Sequence, residues 1–138
     1  MKNKKVGIIG VGNVGSTLAY TLASKGICEK IVLKDIRENI VKAMALDISQ
    51  AANAASSRTI VSAAKDSSDL KDCDVIVITA GIPRKPGMSR DDLLLTNAKI
   101  MKIVVKDIEE QAPNAIIIVV SNPLDVMVYT ALKVSKFP

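Results

Sequence analysis

The sequence predicts an α/β domain built on one doubly wound parallel sheet, with helices covering both faces. Short apolar runs alternate along the chain with longer segments that carry apolar residues at helical spacing. The strand-like runs are continuously apolar, which is typical of strands buried on both faces. A chain of 138 residues, 49% of them apolar, is long enough for one such domain, residues 1–138, with a sizeable core.

Strands and helices are expected to alternate without a repeat, a low-complexity tract or a linker. The expected strands span residues 6–10, 30–35, 58–63, 74–79 and 115–120. The expected helices span residues 16–25, 38–55 and 91–110, and a last helix begins near Pro123. Gly26 is expected to end the first helix, because glycine readily adopts the conformation that follows a helix. The stripe expected to face the sheet is Ile40, Met44, Ile48, Ala51, Ala52 and Ala55 in the second helix, and Leu94, Ala98, Met101, Val105 and Ile108 in the third.

Composition excludes several classes of function. The chain has no histidine, so no imidazole is available as a general acid, a general base or a metal ligand. Cys28 and Cys73 lack metal-like or redox spacing and are expected to be reduced, and no metal site is expected. The net charge of +5 favours anionic partners, but it is dispersed and few aromatic residues could stack bases, so nucleic acid is not expected.

We expect no targeting signal at the N-terminus. The cluster Lys2, Lys4 and Lys5 is expected to be a solvated terminus, and the apolar stretch after it is short and broken by glycine, unlike a signal peptide. No apolar run approaches the roughly 20 residues of a membrane span. We therefore expect no membrane association and a cytoplasmic protein.

A glycine-rich turn connects the first predicted strand to the first predicted helix. Gly10, Gly12 and Gly15 form a G-x-G-x-x-G pattern in the strand–turn–helix context that a dinucleotide-binding fingerprint requires. In that role Gly10 allows the tight turn, Gly12 lets the backbone approach a pyrophosphate, and Gly15 lets helix and strand pack closely. The helix N-terminus supplies N–H groups and a positive dipole end for phosphates. The expected cofactor contacts here are Gly10, Val11, Gly12, Asn13, Val14 and Gly15.

Asp35 follows Gly15 by 20 residues, at the end of the second predicted strand. That position suits a carboxylate that accepts hydrogen bonds from both hydroxyls of the adenosine ribose. Because its charge would repel a 2′-phosphate, NAD is favoured over NADP as the cofactor. Lys34 and Arg37 flank Asp35, and they leave some tolerance of NADP open.

A loop rich in proline, glycine and cations leaves the carboxyl end of the fourth predicted strand, where open α/β sheets bind ligands. Ser89 and Asp92 have the spacing of a capping box, which sets Arg90 at the start of the third helix. A cation there is unfavourable against the helix dipole, so Arg90 either faces solvent or is kept for a ligand. Arginine suits carboxylates because its planar fork bonds both oxygens.

Three segments together resemble the malate dehydrogenases of the lactate-dehydrogenase-like family, and the resemblance covers essentially the whole chain. They are GVGNVG with Asp35, GIPRKPGMSRDDLL (81–94) with Asn97, and VSNPLD (120–125). The resemblance implies hydride transfer between NAD and malate or oxaloacetate. It implies that Arg84 binds the distal carboxylate, where lactate dehydrogenases usually carry glutamine, and that Arg90 polarises the substrate carbonyl. The remaining implied contacts are Asn122 to the substrate oxygen, and Ala80, Gly81, Asn97, Val120, Ser121 and Asn122 to the cofactor.

The resemblance also implies what the 138 residues lack. The family's proton-relay histidine, its aspartate partner and a third arginine lie downstream of the region seen here. A complete dinucleotide-binding fold usually has six strands in the order 3-2-1-4-5-6, so we expect a chain that ends one strand early, truncated at Pro138, and that binds NAD without turnover. The alternatives are a self-contained, non-catalytic NAD-binding module and a lactate-type dehydrogenase.

Two further expectations concern helices. Tyr129 and Lys133 match the Y-x-x-x-K pair of short-chain dehydrogenases, but the glycine pattern of that family is absent, so this interpretation is disfavoured. The helix from Glu38 to Ala55 is rich in small residues, and the corresponding helix of the resembling family lies at a subunit interface. The intact enzyme is therefore expected to be a homo-oligomer, a dimer or tetramer, with packing inside the domain as the alternative.

Overall fold

In the computed structural model, which describes residues 3–138, five parallel strands form one sheet in the order β3-β2-β1-β4-β5. The strands are β1 (Lys5–Ile9), β2 (Lys30–Lys34), β3 (Ile60–Ala63), β4 (Val75–Ile78) and β5 (Ile116–Val119). The helices are α1 (Asn13–Ser24), α2 (Glu38–Ala54), α3 (Arg90–Gln111) and α4 (Leu124–Val134), with a single 3-10 turn at Ser67–Leu70. This confirms the predicted fold class and the first five places of the expected strand order.

The register of the sheet brings the ends of four strands level with one another. Ile9 of β1 pairs with Lys34 of β2 on one side and with Ile78 of β4 on the other, and Ile78 in turn pairs with Val119 of β5. The strand order reverses between β1 and β4, because the chain crosses from β3 at one edge to β4 beyond β1. The segments that follow these strands therefore meet at one edge of the sheet, at its topological switch point.

The core consists of two clusters, one on each face of the sheet. On the face of the sheet that α1 and α2 cover, the buried side chains of these helices are mostly alanine, such as Ala19, Ala23 and Ala52. On the other face, Met101 and Met127 from α3 and α4 pack against β4 and are at most 1% exposed. Small residues on one face and flexible methionines on the other fill the core almost without aromatic side chains. Burying each large apolar side chain contributes about 1.5–3 kcal/mol.

The predicted inward stripe of α2 is partly wrong. Ile48 and Ala52 are buried as expected, but the stripe continues through Val41 and Ala45, while Ile40 is 39% exposed. Ala55 lies outside the helix and is exposed, and Met44 and Ala51 are half-buried. The alanine-rich sequence carries two overlapping apolar stripes one residue apart, and the one through Val41 and Ala45 is buried. In α3 the expected residues Met101, Val105 and Ile108 are buried, with Leu94 and Ala98 half-buried.

The predicted element bounds agree with the structure to within two residues, except at the start of α1. That helix begins at Asn13, three residues before the predicted start. Gly26 ends it as expected, with a φ of +61° and its N–H donated to the carbonyl of Ala23. Ser89 and Asp92 form the predicted capping box at the start of α3, with reciprocal bonds of 3.0 and 3.1 Å.

Lysines near the N-terminus, predicted to be solvated, form hydrogen bonds and an ion pair with the rest of the chain. Lys4 Nζ lies 3.2 Å from Asp74 Oδ1, and Lys5 Nζ donates 2.7 Å hydrogen bonds to the carbonyls of Asp69 and Lys71. Lys2, the third member of the cluster, lies outside the described residues. The cysteines Cys28 and Cys73 are both buried and unpaired, and burial raises the pKa of the Cys73 thiol to about 11. Among residues 3–138, no helix has the length and apolar character needed to cross a membrane.

Candidate functional site

The glycine-rich turn forms an open cradle at the start of α1. Gly10 adopts a φ of +97°, and a Cβ at this position would lie 2.5 Å from the backbone nitrogen of Ala80, so only glycine fits. A Cβ on Gly15 would overlap the carbonyl oxygen of Gly10. A Cβ on Gly12, by contrast, would meet nothing within 4 Å. Two glycines are therefore required by the protein's own packing, and the third leaves open space in front of the helix.

The N-terminus of α1 faces that open space. Gly12 is its N-cap residue, and no side chain among residues 3–138 caps it. The first N–H groups of the helix, beginning at Asn13, have no acceptor within the helix and are available for an anion. Asn13 and Val14 are exposed, whereas Val11 is 2% exposed and presents only its backbone. An open cradle in front of uncapped N–H groups fits the phosphates of a dinucleotide.

Asp35 follows β2 directly beside this turn. Its Oδ2 accepts a 2.8 Å hydrogen bond from the backbone N–H of Val11, which ties the carboxylate to the glycine-rich turn. Arg37 donates from Nη2 to Oδ2 at 2.9 Å, and from Nε and its backbone N–H to Oδ1 at 3.2 Å each. Partial burial raises the pKa of Asp35, but the hydrogen bonds from Arg37 and Val11 outweigh it and lower the pKa to about 2. Asp35 is therefore a carboxylate at any physiological pH.

Two hydroxyl groups join the strand ends across the switch point. Thr79 Oγ1 donates to the carbonyl of Gly10 at 2.8 Å, which connects the segments after β4 and β1. Ser121 is 4% exposed, and its hydroxyl donates to the carbonyl of Ala80, which connects the segments after β5 and β4. Ser121 therefore lies where the sequence placed it, but its hydroxyl faces the protein. Its neighbour Val120 is 40% exposed at the same edge.

The loop between β4 and α3 carries the predicted substrate residues. Arg84 lies in its middle and Arg90 is the first residue of α3, and both are exposed. Within residues 3–138 neither guanidinium forms an ion pair. Asp91 and Asp92 in the first turn of α3 offset the unfavourable placement of Arg90 at the positive end of the helix dipole. Both cations are thus free to meet an anionic ligand above the edge of the sheet.

Asn97 and Asn122 meet beneath that loop. Asn97 is 3% exposed; its Oδ1 accepts from the N–H of Ile82 at 2.9 Å, and its Nδ2 donates to the carbonyls of Ile82 at 3.2 Å and of Asn122 at 2.9 Å. The Asn122 side chain is on the exposed surface, and the peptide bond between Asn122 and Pro123 is cis. A Cβ on Gly81 would lie 3.3 Å from the Asn97 amide, so this glycine makes room for it.

The sequence profile of the family described as lactate/malate dehydrogenase, NAD binding domain, matches residues 4–138. The chain belongs to this family. It is 64% identical over 138 residues to the malate dehydrogenase of Aliarcobacter butzleri, covering all of this chain and 44% of that protein. It is 57% identical over 136 residues to the malate dehydrogenase of Sulfurimonas denitrificans, covering 99% of this chain and 43% of that protein. The chain thus spans less than half the length of these relatives.

Solved structures of the family share the fold closely. The malate dehydrogenase of Archaeoglobus fulgidus, determined in complex with NADH, superimposes with a TM-score of 0.93 at 42% identity, over 97% of this chain and 46% of that one. A lactate dehydrogenase of Cryptosporidium parvum, complexed with lactic acid and its dinucleotide cofactor, has a TM-score of 0.91 at 37% identity, over all of this chain and 43% of that one. The resemblance read from the sequence is confirmed for the family and for the fold.

Family membership also removes the short-chain dehydrogenase interpretation of Tyr129 and Lys133. Both lie on α4; the Tyr129 ring is 61% exposed, and Lys133 Nζ stacks 5.5 Å from its centre. They form a surface cation–π pair.

Three features of the site were missed by sequence reasoning. They are the two-pronged pairing of Arg37 with Asp35, the Thr79 hydroxyl that holds the glycine-rich turn, and Ile36, which is 96% exposed beside Asp35. The sequence places Ile36 next to Asp35, but its exposure is visible only in the structure.

Proposed function

We propose that this chain is the cofactor-binding part of a malate dehydrogenase, which interconverts malate and oxaloacetate by hydride transfer with NAD. The observation that carries the proposal is the position of Arg84 and Arg90, two exposed arginines without ion pairs, on a loop that starts at the same sheet edge as the glycine-rich turn and Asp35. When bound, NAD supplies the nicotinamide carbon that accepts or returns the hydride.

Different residues of the chain would bind the pyrophosphate and the ribose of the dinucleotide. The uncapped N-terminus of α1, from Asn13, would hold the pyrophosphate, and the bare face of Gly12 admits it. Asp35, a carboxylate at neutral pH, would accept hydrogen bonds from the ribose hydroxyls. The other proposed cofactor contacts lie at the ends of β1, β4 and β5: Gly10, Val11, Val14, Gly15, Ala80, Gly81, Asn97, Val120, Ser121 and Asn122.

The substrate would bind on the cationic loop. Arg84 presents a planar guanidinium that can pair with both oxygens of the distal carboxylate of malate or oxaloacetate. Arg90 would stabilise the charge that develops on the substrate oxygen, and Asn122 would orient that oxygen. Arg84 supplies a cation for a second carboxylate, which disfavours the lactate-type alternative.

Exchange of Arg84 tests the substrate. In the whole enzyme, Arg84→Gln should move the ratio of kcat/KM for oxaloacetate over pyruvate towards pyruvate, because a neutral amide cannot neutralise a second carboxylate. Lys85→Gln is the matched control, since it removes the same charge from the neighbouring exposed position and should leave the ratio unchanged. A ratio that is the same in Arg84→Gln and in the unaltered enzyme would refute the assignment of Arg84.

The 138 residues by themselves are expected to bind NADH with negligible turnover. They contain no histidine, and two arginines cannot move the proton that accompanies the hydride. Fluorescence titration with NADH should give saturable binding that Asp35→Ala weakens, while malate-dependent formation of NADH stays at the level of a buffer blank. Robust turnover by a sample of verified mass would contradict this expectation. The length of the encoding gene separates it from the alternative of a self-contained NAD-binding module.

Oligomer formation and cytoplasmic location remain predictions. The outer face of α2 carries Leu46 at 59% exposure together with small residues, which supports an interface between copies along the helix from Glu38 to Ala55. If that helix forms the interface, Leu46→Lys should lower the solution mass of the whole enzyme, as measured by light scattering. An unchanged mass would assign α2 to packing within the domain.

A further inference from the structure

Asn97 is a polar residue in a position that an apolar residue would normally fill. It lies on the inner face of α3, one turn before the core residue Met101, and is 3% exposed. A buried amide without partners would be strongly unfavourable, so its hydrogen bonds define its role. Both N–H groups of its amide and one lone pair of its oxygen are bonded to the main chain.

The three bonds join two separate segments of the chain. Two of them pair the amide of Asn97 with the N–H and the C=O of Ile82, in the way that two residues of neighbouring strands pair with each other. The third ends on the carbonyl of Asn122. Ile82 belongs to the loop after β4 and Asn122 to the turn after β5, so one side chain connects both segments beyond the point where the sheet ends.

The connected points lie close to the residues that the proposed function uses. Ile82 precedes Arg84 by two residues, and the next backbone hydrogen bond along the loop joins Met88 N–H to the carbonyl of Lys85. Arg84 is therefore held between Asn97 on one side and a turn on the other. On the second segment, the bonded carbonyl belongs to Asn122 itself.

We propose that Asn97 is a positioning residue, whose amide fixes the separation between the loop that carries Arg84 and the turn that carries Asn122. This rests on the proposed function, in which Arg84 binds the distal carboxylate and Asn122 binds the reacting oxygen of the same substrate. Small misplacements of binding groups are costly, since about 1 Å can lower a rate by about a hundredfold. The buried amide of Asn97, with three hydrogen bonds, ties this loop to the turn after β5.

Asn97→Asp in the whole enzyme is the sharpest perturbation, because it keeps the shape and the acceptor for Ile82 but removes both donors. The carboxylate also places an oxygen against the carbonyls of Ile82 and Asn122. We expect kcat/KM for oxaloacetate, measured at saturating NADH, to fall by about ten- to a hundredfold, a larger factor than the rise in the Kd for NADH that loss of the proposed cofactor contact would cause. Asn114→Asp, the same change at an exposed turn before β5, should alter neither quantity.

A pH profile distinguishes positioning from general loss of structure. When the introduced carboxylic acid is protonated it regains one donor, so the deficit of Asn97→Asp relative to the unaltered enzyme should shrink as the pH is lowered. Asn97→Leu, which cannot regain a donor, should show a deficit independent of pH. Equal pH profiles for the two variants, or an unchanged kcat/KM in folded Asn97→Asp, would overturn the proposal.

Hydrogen exchange keeps this test separate from that of the proposed function. The backbone N–H of Ile82 is bonded to the oxygen of Asn97 and should exchange at least about tenfold faster in Asn97→Leu, while the N–H groups of β4 keep their protection. Unchanged exchange at Ile82 would show that Asn97 does not hold the loop. If the unaltered enzyme failed to oxidise malate, the proposed function would fall, and the exchange result would still decide whether the two segments are tied.

Discussion

Arg37 occupies the part of Asp35 that a ribose would use. A carboxylate offers about four positions for hydrogen-bond donors, and all four are taken: two on Oδ2 by Val11 N–H and Arg37 Nη2, and two on Oδ1 by the backbone N–H and Nε of Arg37. The hydroxyls of an adenosine ribose can bond Asp35 only if the guanidinium withdraws. Arg37 is half-exposed, at 48%, and free to do so.

Arg37→Ala should therefore change the choice between NADH and NADPH. The ion pair is exposed on its Arg37 side, so freeing Asp35 is expected to tighten NADH binding by only about two- to fivefold. A withdrawn guanidinium stands beside the 2′ position and would attract a phosphate there, so its loss is expected to weaken NADPH binding by about tenfold. The Kd for NADPH divided by the Kd for NADH should consequently rise by about twentyfold or more.

Fluorescence titrations of the 138-residue chain with NADH and NADPH measure both constants. Lys34→Ala is the matched control, because it removes the same charge from the position before Asp35. The ammonium of Lys34 lies 3.9 Å from Asp107 on α3, and the side chain is 27% exposed. That variant should leave the ratio unchanged. Weaker NADH binding in Arg37→Ala, or equal changes for both cofactors, would refute the idea that Arg37 competes with the ribose.

Asp35→Asn should lower the free energy of unfolding by about 1 kcal/mol at neutral pH, since the full shift from 3.8 to about 2 corresponds to about 2.4 kcal/mol before solvent screening. Ionised Asp35 stabilises the fold fully above its ordinary pKa of 3.8, and this stabilisation is lost as the pH falls towards about 2. The free energies of urea unfolding of the variant and the unaltered chain should therefore converge in that range. Gly15→Ala, whose Cβ would overlap a carbonyl oxygen, should destabilise by about 2–3 kcal/mol, as read from the urea midpoint. Gly12→Ala, with open space around its Cβ, should cost less than about 1 kcal/mol yet weaken NADH binding; equal losses of stability would contradict the assigned roles. Met101→Ala should cost about 2–5 kcal/mol in urea unfolding, and Ile103→Ala, at a 65% exposed site of the same helix, much less.

Much of the fold could be predicted because each strand is an isolated apolar run and each helix has its own periodicity. The failures are informative. The stripe of α2 was partly misplaced because an alanine such as Ala45 carries little information about which way a helix faces. The predicted start of α1, Ser16, is three residues too late, and no side-chain cap within residues 3–138 marks the observed start. The helix begins at Asn13 without one, and that missing cap is what leaves its N–H groups for a ligand.

The candidate site was predictable as a set of residue types but not as a set of contacts. Glycine spacing and a carboxylate 20 residues further on predict a cofactor site at this edge of the sheet from the sequence, because both signals are local. The bonds of Asn97 to Ile82 and Asn122 span 15 and 25 positions of the chain. Such pairs depend on the register of β4 and β5 and on the rotation of α3 about its axis, and no local pattern encodes them.

These long-range contacts follow from a property of parallel sheets. The ladder of backbone hydrogen bonds stops where the strands stop, yet a binding site at the carboxyl edge is built from the segments beyond that point. Here side chains continue the connection: Thr79 joins the segments after β1 and β4, Ser121 joins those after β4 and β5, and Asn97 joins two loops one step further out. Because these contacts are made within the chain itself, binding does not have to order the segments. A scaffold held in this way loses little conformational entropy when it binds, which raises affinity without any added contact to the ligand.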